Sequence, residues 1–196
     1  MNTHRTPAAQ QPRPDTASPW VFSTRELGRR PGNMRTVART VAAPDAPAQI
    51  GLENVIVVPA GSPVELDLQL ESVTEGVYVS GRASAGLTGE CSRCLDGLTD
   101  TVEVEIAELF AYPDSVTDET TDADEIPRLV DEYLDVEQVV RDAVVLALPL
   151  APLCDPDCPG LCPECGGRRA DLGPGHGHET LDPRWAALRE RLPSAD

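Results

Sequence analysis

Lysine is absent from this 196-residue chain, so all 16 basic residues are arginine, set against 33 acidic ones. The missing lysine points to a GC-rich genome more than to a mechanism. A net charge of −17 excludes general coating of duplex nucleic acid, because phosphate binding is driven by cationic side chains. Any contact with RNA would have to come from a local patch. Aromatic residues make up only 4%, which leaves Val, Leu, Ile and Ala to build the core. No apolar run approaches a membrane span: the longest, Ala143 to Pro152, is too short. The first residues also lack the apolar centre of a signal peptide. A cytoplasmic location is therefore expected, where cysteines serve as metal ligands more readily than as disulfides. There is no P-loop and no dinucleotide fingerprint, and no Ser or Cys nucleophile has a suitable histidine partner. The expectation is a protein that is not an enzyme.

Against these absences stands a concentration of sulfur. Four of the six cysteines fall within Cys154-Asp-Pro-Asp-Cys158-Pro-Gly-Leu-Cys162-Pro-Glu-Cys165-Gly166. Thiolates placed this close repel one another unless a cation shares them or oxidation pairs them. The two-residue spacer of Cys162-Pro-Glu-Cys165 lets both sulfurs point at one ion, and Gly166 allows the positive φ that turns backbone N–H groups toward them. Zinc is the first candidate, in a structural role, because no general base is spaced to serve a catalytic ion. The simplest ligand set is Cys154, Cys158, Cys162 and Cys165. A rival set joins Cys162 and Cys165 to His176 and His178, and leaves Cys154 and Cys158 to meet Cys91 and Cys94. Arg168 and Arg169, directly after the knuckle, could offset the charge of four thiolates.

Along the chain, residues 1–19 read as a disordered tail. Residues 20–150 form an α+β domain, and 151–196 a cysteine-rich segment ending in a short helix from Asp182-Pro183, with Trp185, Leu188 and Leu192 on one side. Trp20 and Phe22 anchor an arginine-bearing turn at Pro31-Gly32. Within the domain, Val55–Val58, the alternating Val64, Leu66, Leu68 and Leu70, the stretch from Val77, and Thr101–Ala111 read as strands of an antiparallel meander. Cys91 and Cys94 fall near a connection. Residues 113–125 hold six acids and no base, which reads as a solvated loop. Asp135 is placed to cap a helix bearing Val136, Val139, Val140, Ala143, Val144 and Ala147, which Pro149 ends. The expected architecture is an antiparallel sheet, curved or barrel-like, followed by a helix, a zinc knuckle and the short C-terminal helix.

Five stretches occur in a recognisable order: Thr24-Arg-Glu-Leu-Gly-Arg-Arg-Pro-Gly32, Gly89-Glu-Cys-Ser-Arg-Cys-Leu95, Asp131-Glu-Tyr-Leu-Asp135, Leu146-Ala-Leu-Pro-Leu150 and Gly160-Leu-Cys-Pro-Glu-Cys-Gly166. With them the chain resembles the YceD family of large ribosomal RNA subunit accumulation proteins, from about Trp20 to the helix start at Asp182. The resemblance implies a role in accumulation of large-subunit ribosomal RNA and in ribosome assembly. It also turns attention to Arg25, Arg29, Arg30, Arg35 and Arg39, the only basic concentration, as contacts to pre-ribosomal RNA. Alternatively, the acidic body would hold a basic ribosomal protein. A reading from another class is a thiol-based redox or zinc-responsive regulator.

Overall fold

A computed structural model describes residues 13–115 and 126–178. Most of the expected tail, most of the acidic loop and the C-terminal helix with Trp185, Leu188 and Leu192 lie outside the described residues.

The alternation at 64–70 does what its period demands. In β5 (Pro63–Ser72), Val64, Leu66, Leu68 and Leu70 are buried while Glu65 and Asp67 are exposed. The chain then turns at Glu75 into β6 (Gly76–Glu90) and returns as β7 (Gly97–Ala111), two long antiparallel strands in register from Gly76↔Ala111 to Glu90↔Gly97. β2 (Met34–Ala42) flanks the far edge of β5. Beyond the end of β5, the short β4 (Ile56–Val57) takes over the same edge of β6 and carries β3 (Gly51–Leu52). A separate two-stranded ribbon joins β1 (Val21–Ser23) to β8 (Tyr133–Asp135).

The sheet is open, which corrects the barrel-like expectation. Among the described strands β2 pairs only with β5, and β7 only with β6, apart from a single bridge from Ala111 at its end to Arg128. Closure is unnecessary because other elements cover the apolar face. Trp20 and Phe22 from the β1 region, Leu134 and Val136, and Val140 and Val144 of helix α1 (Glu137–Ala147) share one core with Leu66, Leu68, Val79 and Phe110. A sheet with one apolar face needs a cover, and a helix supplies it as well as a second sheet does.

The helix begins one residue later than its cap suggests. Val136 is the N-cap, fully buried, with its N–H donated to the Trp20 carbonyl. Asp135 still serves the first turn, accepting the Glu137 N–H at 2.9 Å. At the other end Leu148 is extended (ψ 140°), the conformation that a following proline favours. Among the described residues, no helix is long and apolar enough to cross a membrane.

Candidate metal centres

Helix and hairpin deliver cysteines to the same place. Between β6 and β7 the chain makes a tight turn in which Cys91 N–H donates to the Asp96 carbonyl (2.8 Å) and Leu95 N–H to the Cys91 carbonyl (2.9 Å). Leu95 adopts a left-handed φ of 62° to do so. Cys91 and Cys94 therefore project from one side of the turn. The segment after α1 is tied beneath it. Ser92 donates both its N–H and its Oγ to the Pro152 carbonyl (2.8 and 3.0 Å), and Arg93 Nη1 reaches the carbonyls of Pro156 (3.2 Å) and Cys158 (3.0 Å). Those bonds bring Cys158 Sγ to 3.8 Å from Cys91 Sγ and Cys154 Sγ to 3.6 Å from Cys94 Sγ. Cys91, Cys94 and Cys158 are buried, with Leu98 and Leu153 packed against them; Cys154 is exposed.

A second group forms where the chain folds back on itself through the Leu161↔Arg168 bridge. Here Cys162 N–H donates to the Gly167 carbonyl (2.7 Å) and Gly166 N–H to the Cys162 carbonyl (2.9 Å), with Gly166 at φ 69°. His176 Nε2 lies 3.4 Å from Cys162 Sγ, 3.6 Å from Cys165 Sγ and 3.0 Å from His178 Nε2.

Within each foursome the ligand atoms all lie within 4.8 Å of one another. A tetrahedral zinc with Zn–S near 2.3 Å and Zn–N near 2.0–2.1 Å has edges of about 3.8 Å between sulfurs, 3.5 Å between sulfur and nitrogen, and 3.4 Å between nitrogens. The contacts above follow that order, longest between sulfurs and shortest between the imidazoles. Both groups are thus positioned to bind a metal ion. The electrostatics agree. The backbone N–H groups of Cys154 and Cys94 hold the Cys91 thiol down to about 6 against the opposing effect of burial. Burial, with the adjoining thiols, pushes Cys94 up to about 12. Once one sulfur ionises, its neighbours resist doing so unless a cation joins them. Cys162 is likewise lowered to about 6, by the amides of Cys165 and Glu164 and then by His176.

The simplest sequence-based set does not converge. Cys154 and Cys158 join Cys91 and Cys94, while Cys162 and Cys165 join His176 and His178. The division has a cause. Ser92 and Arg93 hold 152–158 against the β6–β7 turn, and the Leu161↔Arg168 bridge then directs Cys162 away toward the histidines. Sequence reasoning also missed what joins the two centres: Arg168 forms an ion pair with Asp96, whose carboxylate also accepts from Cys94 Sγ at 3.4 Å. An arginine placed inside a Cys-x-x-Cys was the available signal for the Arg93 clamp.

The arginine cluster is largely engaged within the molecule. Arg25 pairs with Glu132 (3.4 Å), Arg29 with Asp114 (3.1 Å) and Arg35 with Glu26 (3.1 Å). Arg39 donates to the Pro19 (2.6 Å) and Val21 (3.2 Å) carbonyls and stacks 4.2 Å over the Phe22 ring. Arg30 is exposed and makes no ion pair among the described residues.

The sequence profile of the family described as "Large ribosomal RNA subunit accumulation protein YceD" matches residues 79–190, a span that contains all eight metal-site residues. Relatives include Rv2926c of Mycobacterium tuberculosis (strain H37Rv), described as an uncharacterized protein, 52% identical over 191 residues, covering 97% of this chain and 88% of its own. Another is the uncharacterized protein ML1660 of Mycobacterium leprae, 46% identical over 175 residues, covering 89% and 78%. No solved structure matches the chain.

Proposed function

The chain belongs to the YceD family of large ribosomal RNA subunit accumulation proteins, and from that membership we propose that it is a non-enzymatic, cytoplasmic factor supporting accumulation of large-subunit ribosomal RNA and assembly of the large ribosomal subunit. The observation that carries this reading is the family match itself. Two structural zinc ions complete the fold, one held by Cys91, Cys94, Cys154 and Cys158 and one by Cys162, Cys165, His176 and His178. Four protein ligands each leave no open position for substrate or water, the mark of a structural site. Four thiolates leave the first centre at −2, whereas the second is neutral.

The ribosomal partner in this reading is a basic protein rather than RNA. Support comes from the net charge of −17 and from the internal use of four of the five clustered arginines. Exposed ion pairs are individually weak, yet a phosphate must still displace them. The test is the ratio of large- to small-subunit ribosomal RNA in depleted cells. Depletion is expected to lower it selectively. Wild type and Arg29→Glu/Arg30→Glu should both restore the ratio, and Cys158→Ser should not. Failure of the arginine variant alone would transfer the contact to RNA, and an unchanged ratio on complete depletion would sink the assembly role.

A second reading, a zinc- or thiol-responsive regulator, draws on the exposure of Cys165, His176 and His178. It predicts that mild oxidant releases metal from the second centre before the first. Simultaneous release, or none, would remove its basis.

A further inference from the structure

One open edge of the sheet belongs to β7. Its residues 110 and 112 turn their amide groups toward the β6 side, as the bond from Tyr112 N–H to the Glu75 carbonyl shows (2.8 Å). Ala111 turns the other way, donating to Pro127 O and accepting from Leu129 N–H (both 2.9 Å). Since the direction alternates along an antiparallel strand, Leu109, Ala107, Glu105 and Glu103 face that same outer edge. The Leu109 N–H is taken by the Glu108 carboxylate (3.2 Å) and the Thr101 N–H by that of Asp100 (2.8 Å). Glu103, Glu105 and Ala107 have no backbone partner on this edge among the described residues.

Beside the edge runs a groove of about 1020 Å³, walled by β7 and α1. Its charged lining consists of six carboxylates, among them Glu105, Glu108, Asp135 and Asp142, against Arg13 and Arg128. Its apolar lining includes the half-buried Val139 and Ala143, and Leu146, which is 87% exposed. An unprotected edge normally invites self-association. Here the glutamates set carboxylate against carboxylate in any edge-to-edge dimer, so a second copy is disfavoured while a cationic strand is not.

We propose that the β7 edge captures an extended Lys/Arg-rich polypeptide segment as an added strand, its backbone paired with Glu105 and Ala107. Its basic side chains meet the groove carboxylates, and alternate apolar ones rest on Val139, Ala143 and Leu146. The chain's own 127–129 segment already begins such pairing in parallel at Ala111↔Arg128 and then leaves the edge. Strand addition of this kind draws affinity from the main chain and selectivity from alternate side chains. The inference deepens the ribosomal-protein reading and rests on it only for the partner's being ribosomal.

The test uses the full-length, metal-loaded protein and a labelled short peptide of alternating Lys and Val, read by fluorescence anisotropy. Two further peptides of equal charge carry N-methyl groups on alternate amides, one in each of the two phases. The unmodified peptide should bind, and N-methylation in one of the two phases should weaken it roughly tenfold, as should Ala107→Pro. Proline is tolerated on an edge strand where the lost N–H faces outward, and should Ala107→Pro fail to fold, the methylated peptides decide. Glu105→Arg/Asp142→Arg should weaken binding to a similar degree, whereas Glu65→Arg, on β5 two strands in from this edge, should not. Equal binding of all peptides would reduce the contact to plain charge attraction and overturn strand capture, as would no binding. Self-association relieved by Ala107→Pro would name a second copy as the occupant and also overturn it. None of these results depends on the ribosomal RNA ratio, so the two readings fail separately.

Discussion

Cys158→Ser is expected to remove one metal ion per chain and to destabilise the whole domain, whereas Cys165→Ser should remove one ion and leave the main unfolding transition nearly in place. The difference follows from what each centre joins. Cys91 and Cys158 are separated by 67 positions in the sequence, and their centre ties the β6–β7 turn to the segment beyond α1. Closing a loop of that size removes roughly 4 kcal/mol of chain entropy from the unfolded state in the cross-link picture. The loss comes on top of leaving buried sulfurs with no cation to share their charge. The second centre links positions only 11 and 14 apart and contributes nothing to the main core. Its loss should melt the local turn around 162–178 and little else. Metal content by elemental analysis, read alongside denaturant unfolding, checks both halves. Equal unfolding midpoints for the two variants would sink this account of the first centre, and unchanged metal in both would sink the assignment of ligands.

The contrast also explains how far the sequence carried. The period-2 alternation of Val64 to Leu70 announces a half-buried strand because one face of β5 meets the core, and that signal is local. β2 is harder to read. Arg35 and Arg39 lie opposite Leu70 and Leu66, on the core-facing side of an edge strand, where the Arg39 guanidinium lies over Phe22 instead of in water. Alternation of Arg with Val37 and Val41 therefore looked like a basic patch. The partners of Arg25 and Arg29 are Glu132 and Asp114, remote in sequence, so charge counting could not find them. Ligand pairing was hidden for a similar reason. The eight donors were all visible, and so were both ways of dividing them, but Ser92 and Arg93 bonding to carbonyls some 60 residues away decides the division. Openness of the sheet likewise depends on whether β2 and β7 meet, which neither strand's own pattern records.

The second large effect is expected at Gly81, in the middle of the longest ladder. Gly81 sits between Leu68 of β5 and Ile106 of β7 with φ +141°, a conformation L side chains rarely adopt. A β-carbon here would overlap the Asp67 carbonyl oxygen and lie 2.9 Å from Leu68 Cα. Both are backbone atoms of a paired strand, so relief requires breaking ladder bonds and not merely turning a side chain. Backbone strain and overpacking together put Gly81→Ala at about 3–5 kcal/mol, or roughly 10 °C in Tm for a chain of this size. Gly86→Ala is the matched control on the same strand. Nothing lies within 4 Å of its added carbon, and its φ is outside the left-handed range, so stability should change by no more than about 0.5 kcal/mol. Because β6 runs directly into Cys91, weakening its pairing with β5 should also loosen the first metal centre. Chelator should strip metal faster from Gly81→Ala than from wild type or Gly86→Ala. A Gly81→Ala protein that melts with wild type would mean that β5 can shift away without losing its register. The first centre would then depend on the β6–β7 turn and the Arg93 clamp alone.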